Sequence, residues 1–294
     1  MKKIIFKGAG VAVVTPFDEN GVNYTKLEEL LNFQIENSVD SIIVCGTTGE
    51  ASAMTEDEQK SVLKFCIEKV NGRVPVIAGT GSNNTEKTIR LTKFAESIGY
   101  DGALIVTPYY NKTTQKGLIE HYSKVADETA LPIILYNVPS RTGVSFSIDT
   151  LKALDEKYSN IVAIKEASGD VAYAARVSAE TDLALYSGND DVTLPVLSVG
   201  GMGVISVIAN IYPKQMHEIC SLFFENELHK ARELYLKMLS VMGAMFIEVN
   251  PIPVKTAMNI LGFDVGKLRL PLSEMEENNK EKLKTLLERF ETEK

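Results

Sequence analysis

Ile161-Val162-Ala163-Ile164-Lys165 is the stretch on which the reading of this chain turns. Its first four residues are apolar, three of them β-branched, and no polar residue alternates with them. That pattern suits a strand covered on both faces, as in a parallel sheet. A lysine at the end of such a strand needs exposure or chemistry to account for it. A long amine stem can snorkel from a strand end into water. An amine held at an apolar rim instead loses hydration, which disfavours the ammonium form and leaves a nucleophile able to form a Schiff base with a carbonyl compound. The surroundings in sequence decide between the two.

Similar apolar runs occur at residues 10–14, 41–45, 74–78, 102–106, 132–136, 183–187 and 203–207, which with 161–165 makes eight strand candidates. Amphipathic stretches of helical period separate them. Thr55 with Glu58 forms a capping box ahead of Val62, Leu63, Cys66, Ile67 and Val70, and Leu27, Leu30, Leu31 and Ile35 form a comparable stripe. Pro213 marks the first turn of a helix carrying Met216, Ile219, Cys220 and Phe223. Eight strands alternating with helices predict an α/β fold of the (β/α)8 TIM barrel type over residues 1–227. From about residue 228 the strand signal stops. Stripes at Leu234, Met238 and Leu239, then at Leu283, Leu286, Leu287 and Phe290, predict a small helical extension over residues 228–294.

The chain has 294 residues, 45% of them hydrophobic, and a formal charge of -8. No block of lysine or arginine breaks that acidity, which argues against a nucleic-acid or anionic-membrane surface and points to small molecules and further copies of the chain as partners. Cys45, Cys66 and Cys220 cannot all pair within one chain, so a reducing compartment is expected. The apolar start Ile4, Ile5, Phe6 is cut short by Lys7 and Gly8, too early for a signal peptide, and no run approaches a membrane helix. A soluble, cytoplasmic protein is the expectation.

In a barrel of this kind the chemistry comes from the C-terminal ends of the strands. Those ends carry GTTGE at 46–50, TPYYN at 107–111, YNVPSRTG at 136–143, Lys165 with Glu166, and SGND at 187–190. The glycine-flanked threonines Thr47 and Thr48 suit a carboxylate better than a polyphosphate, because no long basic side chain accompanies them. Tyr136 ends the strand before that of Lys165 and can carry protons as an imine forms and collapses. Arg141, in a loop stiffened by Pro139, offers a fork for a second carboxylate, or is an ordinary exposed loop arginine. Tyr109 and Tyr110 are expected at a subunit contact. GAGVAV at 8–13 is not a dinucleotide loop, since its glycines are expected ahead of the strand and the third is absent. His121, His217 and His229 are scattered over predicted helices, and His217 with Cys220 has no third ligand nearby, so no metal site is expected. Asp190 and Asp191 read as the cap of a following helix rather than as an acid–base pair.

GTTGE, TPYYN, YNVPSRTG, IKEASGD and GGMGVISV, five motifs in order along nearly the whole chain, resemble the dihydrodipicolinate synthase family. The barrel, the lysine and the GxxGE turn are shared with other pyruvate-dependent lyases, such as N-acetylneuraminate lyase and ketodeoxygluconate aldolase. The threonine pair, the double tyrosine and Arg141 with Thr142 and Gly143 look like the synthases. The resemblance implies that Lys165 condenses with pyruvate and that the resulting enamine attacks aspartate 4-semialdehyde, with no further cofactor. It implies a proton relay of Thr48, Tyr136 and Tyr110, with Tyr110 reaching a neighbouring subunit. It further implies a pyruvate carboxylate grip at Thr47 and Thr48, a semialdehyde carboxylate site at Arg141, and backbone contacts near the imine at Gly188 and Ile205. A homotetramer built as a dimer of dimers is expected. Glu56 and Lys87 replace the histidine and the acidic residue of lysine-inhibited members, which predicts weak or absent inhibition by lysine. The rival readings are another pyruvate-dependent lyase, which cleaves a sugar acid, and a non-catalytic regulator on the same scaffold.

Overall fold

The computed structural model describes residues 2–293. Eight parallel strands close into a barrel: β1 (Gly8–Ala12), β2 (Ser41–Val44), β3 (Val76–Gly79), β4 (Gly102–Val106), β5 (Ile133–Asn137), β6 (Ile161–Glu166), β7 (Ala184–Ser187) and β8 (Gly203–Ser206). Each strand lies beside its neighbours in sequence, so the (β/α)8 expectation holds. All eight predicted runs are strands, with ends displaced by two residues at most. One detail differs: Gly8 and Gly10 lie inside β1 rather than ahead of it. Gly8 has φ +119°, and a Cβ there would collide with the Asp40 carboxylate, which accepts a hydrogen bond from the Ala9 amide at 2.7 Å.

By its internal contacts the chain divides into two compact units, Met1–Lys7 with Pro75–Ile205, and Gly8–Val74 with Ser206–Lys294. In the first unit, β4 to β7 are aligned so that Val106, Tyr136, Lys165 and Tyr186 stand opposite one another in a single row. The strands are apolar along their length because both faces are covered, and Ile133, Ile134, Leu135, Ile161 and Ile164 are fully buried. The loops leading into the outer helices end in capping side chains. Asn84, Thr114, Ser147 and Asp170 each accept a backbone N–H from the first turn of the helix they precede. At the N-terminal end of β6, the Lys2 ammonium pairs with the Asp155 carboxylate and donates to the carbonyls of Asp155, Tyr158 and Ile161 at 2.6 to 2.8 Å.

The second unit holds β1, β2 and the C-terminal helices Leu228–Ala244, Ile252–Ile260 and Glu277–Glu293. The helix Glu56–Val70 begins with the predicted capping box, Thr55 and Glu58 each bonding the other's backbone. In Leu228–Ala244 the buried face is Ala231, Tyr235, Met238, Val241 and Met242, while Leu239, expected inside, is exposed. The continuous 3.6-residue period, rather than the local triplet, sets that face. Leu283, Leu287 and Phe290 are buried as expected, with the Phe290 ring 4.8 Å from that of Tyr212. Cys45, Cys66 and Cys220 are all buried, take part in no disulfide and lie within this unit. Among the described residues no helix is long and apolar enough to cross a membrane.

Candidate active site

Lys165 occupies the end of β6 with only 5% of its surface exposed, and its Nζ lies 4.5 Å from the centroid of the Tyr136 ring. The parallel register places Tyr136 directly opposite Lys165, so the ring covers one side of the amine. Gly188, just past β7, brings bare backbone to the other side of this group. Its amide donates to the Glu166 carbonyl at 2.6 Å, and a Cβ on it would collide with Ala167 and stand 3.0 Å from the Lys165 Cε. A glycine is therefore required by this close approach. Ile205 is fully buried on β8.

Glu166 points to the opposite face of the strand. Its carboxylate accepts from Asn137 Nδ2 at 2.6 Å and from the Ser168 amide at 2.5 Å. Burial raises its pKa, and the hydrogen bonds from Ser168 and Asn137 pull the other way. Asn137 Oδ1 in turn accepts from the Phe146 amide at 3.3 Å, so the loops after β5 and β6 are fastened to each other. Between them, the segment expected as a Pro139-stiffened loop is one helical turn, Pro139–Thr142, with proline in the first position and Gly143 at φ +66° after the last. It carries Arg141 exposed to solvent, and Thr142 Oγ1 anchors it by accepting from Thr107 at 3.0 Å and donating to the Val144 carbonyl at 2.9 Å. Tyr110, on the loop after β4, is 92% exposed in the left-handed region at φ +67°, while Tyr109 is half-buried. Asp190 and Asp191 form a single 3-10 turn with Val192. Val192, and not either aspartate, holds the N-cap position of the helix Thr193–Ser198, which corrects the expected cap.

In the second unit, Thr47 and Thr48 sit in the turn that follows β2. Its backbone folds on itself through Gly49 N to Gly46 O and Glu50 N to Thr47 O, both 3.1 Å, flanked by left-handed Cys45 and Glu50. Thr15 Oγ1 donates to the Gly49 carbonyl at 2.8 Å. The Thr48 hydroxyl is buried and accepts from Asn250 Nδ2 at 3.0 Å. Two residues on, the Glu50 carboxylate is wholly enclosed. One oxygen pairs with Lys255 Nζ at 2.8 Å and the other accepts the Arg269 amide at 2.9 Å. Lys255 Nζ also donates to the carbonyls of Thr15 and Lys267 and lies 4.6 Å from the Phe17 ring centroid. Burial lowers the Lys255 pKa against the opposing pull of Glu50. The Arg269 guanidinium grips Glu58 at 2.7 Å and holds that carboxyl down at about 2.

The first unit therefore brings Lys165, Tyr136 and Gly188 together, and the second fastens Thr47 and Thr48 in a tightly held turn. Among the described residues no three histidine, cysteine, aspartate or glutamate side chains stand together as metal ligands.

The model of the dihydrodipicolinate synthetase family matches residues 5–290. The chain belongs to that family. A 4-hydroxy-tetrahydrodipicolinate synthase of Clostridium tetani is 58% identical over 282 residues, 95% of this chain and 96% of the relative. That of Acetivibrio thermocellus is 54% identical over 290 residues, 99% of each chain. Among solved structures, dihydrodipicolinate synthase of Thermotoga maritima has a TM-score of 0.95 at 44% identity, covering 98% of this chain and 99% of its own. The Aquifex aeolicus synthase has 0.95 at 42%, covering 97% and 98%.

The structure adds Asn250 and Lys255, outside the motifs that resemble the family, and Glu50, the last residue of GTTGE, none of which sequence reasoning assigned an individual role. For Lys255 a signal existed: it is the one charged residue in the mostly apolar helix Ile252–Ile260, where a buried charge demands a partner. Asn250 gave none, because an asparagine before a proline reads equally well as a turn.

Proposed function

We propose that this chain is a lyase that condenses pyruvate with L-aspartate 4-semialdehyde, giving 4-hydroxy-tetrahydrodipicolinate on the route to diaminopimelate and lysine. One observation carries the reading: a nearly enclosed lysine at the C-terminal end of a barrel strand, covered by a tyrosine ring, in a chain of the dihydrodipicolinate synthetase family.

In this reading the neutral Lys165 amine attacks the keto carbon of pyruvate, and loss of water leaves an imine whose protonated nitrogen draws electrons from the neighbouring methyl. Loss of a methyl proton gives an enamine, and its carbon attacks the aldehyde of the semialdehyde, which becomes a hydroxyl. The substrate's amino nitrogen then adds to the imine carbon, closes the ring and expels Lys165. Tyr136, Thr48 and Tyr110 pass the protons these steps require. Thr47 and Thr48 hold the pyruvate carboxylate through hydroxyl and backbone N–H groups, Arg141 takes the semialdehyde carboxylate as a planar fork, and the backbones of Gly188 and Ile205 border the imine. The covalent carrier is Lys165 itself, so the reading invokes no separate cofactor. A tyrosine left 92% exposed in a left-handed conformation supports a homotetramer, a dimer of dimers in which Tyr110 serves a neighbouring subunit. Such a protein works in the cytoplasm.

Mass spectrometry after incubation with pyruvate and borohydride tests the reading. The wild-type chain should gain one reduced pyruvyl adduct on Lys165, and Lys165→Ala should gain none. Adduct formation at another lysine would assign the chemistry elsewhere. Turnover with aspartate 4-semialdehyde, and none with N-acetylneuraminate or ketodeoxygluconate, separates the synthase from the sugar-acid lyases. Lys87, whose ammonium would repel that of lysine, supports an enzyme that free lysine inhibits weakly or not at all. Half inhibition at sub-millimolar lysine would refute this.

A further inference from the structure

We infer that Asn250 is a positioning residue that sets the direction in which the Thr48 hydroxyl gives its proton. The inference rests on the reading that Thr48 belongs to the proton relay. A hydroxyl can donate one hydrogen bond and accept two. Thr48 is 2% exposed, so bulk water does not orient it, and Asn250 Nδ2 donates a hydrogen bond to its oxygen at 3.0 Å. With a donor facing the oxygen from that side, the hydroxyl's own proton is turned away from Asn250 and is left to be given to the next group in a relay. Without that donor the hydroxyl is free to rotate, and the fraction of molecules aimed correctly falls.

Asn250 is itself held in place. It stands two residues before the helix Ile252–Ile260, and Lys255 on that helix is pinned by Glu50, Thr15 and Lys267. Glu50 lies two residues after Thr48. The turn after β2 and the segment 250–255 are therefore tied at two points, Asn250 to Thr48 and Lys255 to Glu50. The two ties divide the work: the buried ion pair fixes the separation of the two segments, and the amide fixes the rotation of one hydroxyl. Only the second acts on proton transfer.

The test is the steady-state kinetics of Asn250→Ala, Asn250→Asp, Thr48→Val and the double variant Asn250→Ala/Thr48→Val, with unfolding midpoints for each. Asn250→Ala should lower kcat by about tenfold, within the range that one positioned proton transfer supplies, and leave the KM for pyruvate within about twofold. Asn250→Asp should be slower still, because a carboxylate accepts the Thr48 proton and draws it the wrong way. In the Thr48→Val background Asn250→Ala should have no further effect on kcat. If Thr48→Val is slow while Asn250→Ala turns over normally, or if the two losses multiply, the relay reading stands and the role of Asn250 is overturned. If Thr48→Val keeps full turnover, the relay reading fails and takes the inference with it. Should the Asn250 variants not fold, neutron diffraction from wild-type crystals decides the matter. A deuteron on Thr48 directed away from Asn250 upholds the assignment, and one directed at the Asn250 side chain overturns it.

Discussion

Gly188 has no room for a side chain beside the lysine. The Lys165 stem, the Glu166 carbonyl and the Ala167 methyl converge on the space a side chain would need, and neither the Glu166 backbone nor the Ala167 Cβ, which has no rotamer to change, can swing aside. Gly188→Ala should therefore fold with a loss of about 1–3 kcal/mol, the usual cost of overpacking, and should slow pyruvate adduct formation by displacing the amine. Urea unfolding together with the time course of borohydride trapping checks both parts, and an unchanged trapping rate would show that the amine tolerates the intrusion. Arg141 offers the contrasting case. On a solvent-facing turn its contribution lies in substrate binding, so Arg141→Ala should spare trapping while raising the semialdehyde KM or lowering turnover, and normal kinetics would remove it from the site.

The turn after β2 is stabilised as one unit with the helix Ile252–Ile260. Glu50 and Lys255 are a buried pair whose remaining hydrogen-bonding capacity is taken up by the Arg269 amide and two carbonyls, and removing one partner leaves the other charge stranded. Lys255→Met should cost about 3–5 kcal/mol, far more than loss of the part-exposed pair of Arg269 with Glu58, where solvent already screens the attraction. Replacing Glu50 and Lys255 together by apolar residues should recover much of that loss. Denaturant titrations of the two single variants and the double variant measure the coupling. The strands that flank these features were legible in sequence because burial on both faces removes polar residues from every position, a signal that needs no knowledge of the partner strand. The tie between Glu50 and Lys255 was not legible, because it joins residues 205 apart and each is only one charge on its own element. Likewise the Pro139–Thr142 turn is announced by Pro139 and Gly143 in retrospect. A four-residue helix has too few apolar positions for a period to show in advance.

For the whole molecule, acid is the expected weakness. His121 is buried with its Nδ1 2.9 Å from the Thr85 hydroxyl, and burial pushes its pKa down to about 4, against about 6.5 in an unfolded chain. A group with a depressed native pKa contributes stability that is complete above the unfolded value and is lost as pH falls toward the native one. For His121 that loss is on the order of 2–3 kcal/mol between pH 7 and pH 4.5. Glu166, with a raised native pKa, works in the opposite sense, so His121→Phe is the variant that isolates the imidazole. The wild-type chain should lose more stability over that interval than the variant, as read from urea midpoints at the two pH values. Equal losses would place the acid sensitivity elsewhere.

The placement of the thiols has a practical corollary. Since Cys45, Cys66 and Cys220 are all concealed, and all in the same unit, a maleimide added to the native protein finds them only when that unit opens. Their labelling rate is thus a built-in clock for opening of that unit, with Cys45 reporting on the threonine turn that it directly precedes. A single cysteine introduced on an exposed position of the other unit can then carry a fluorophore with little background.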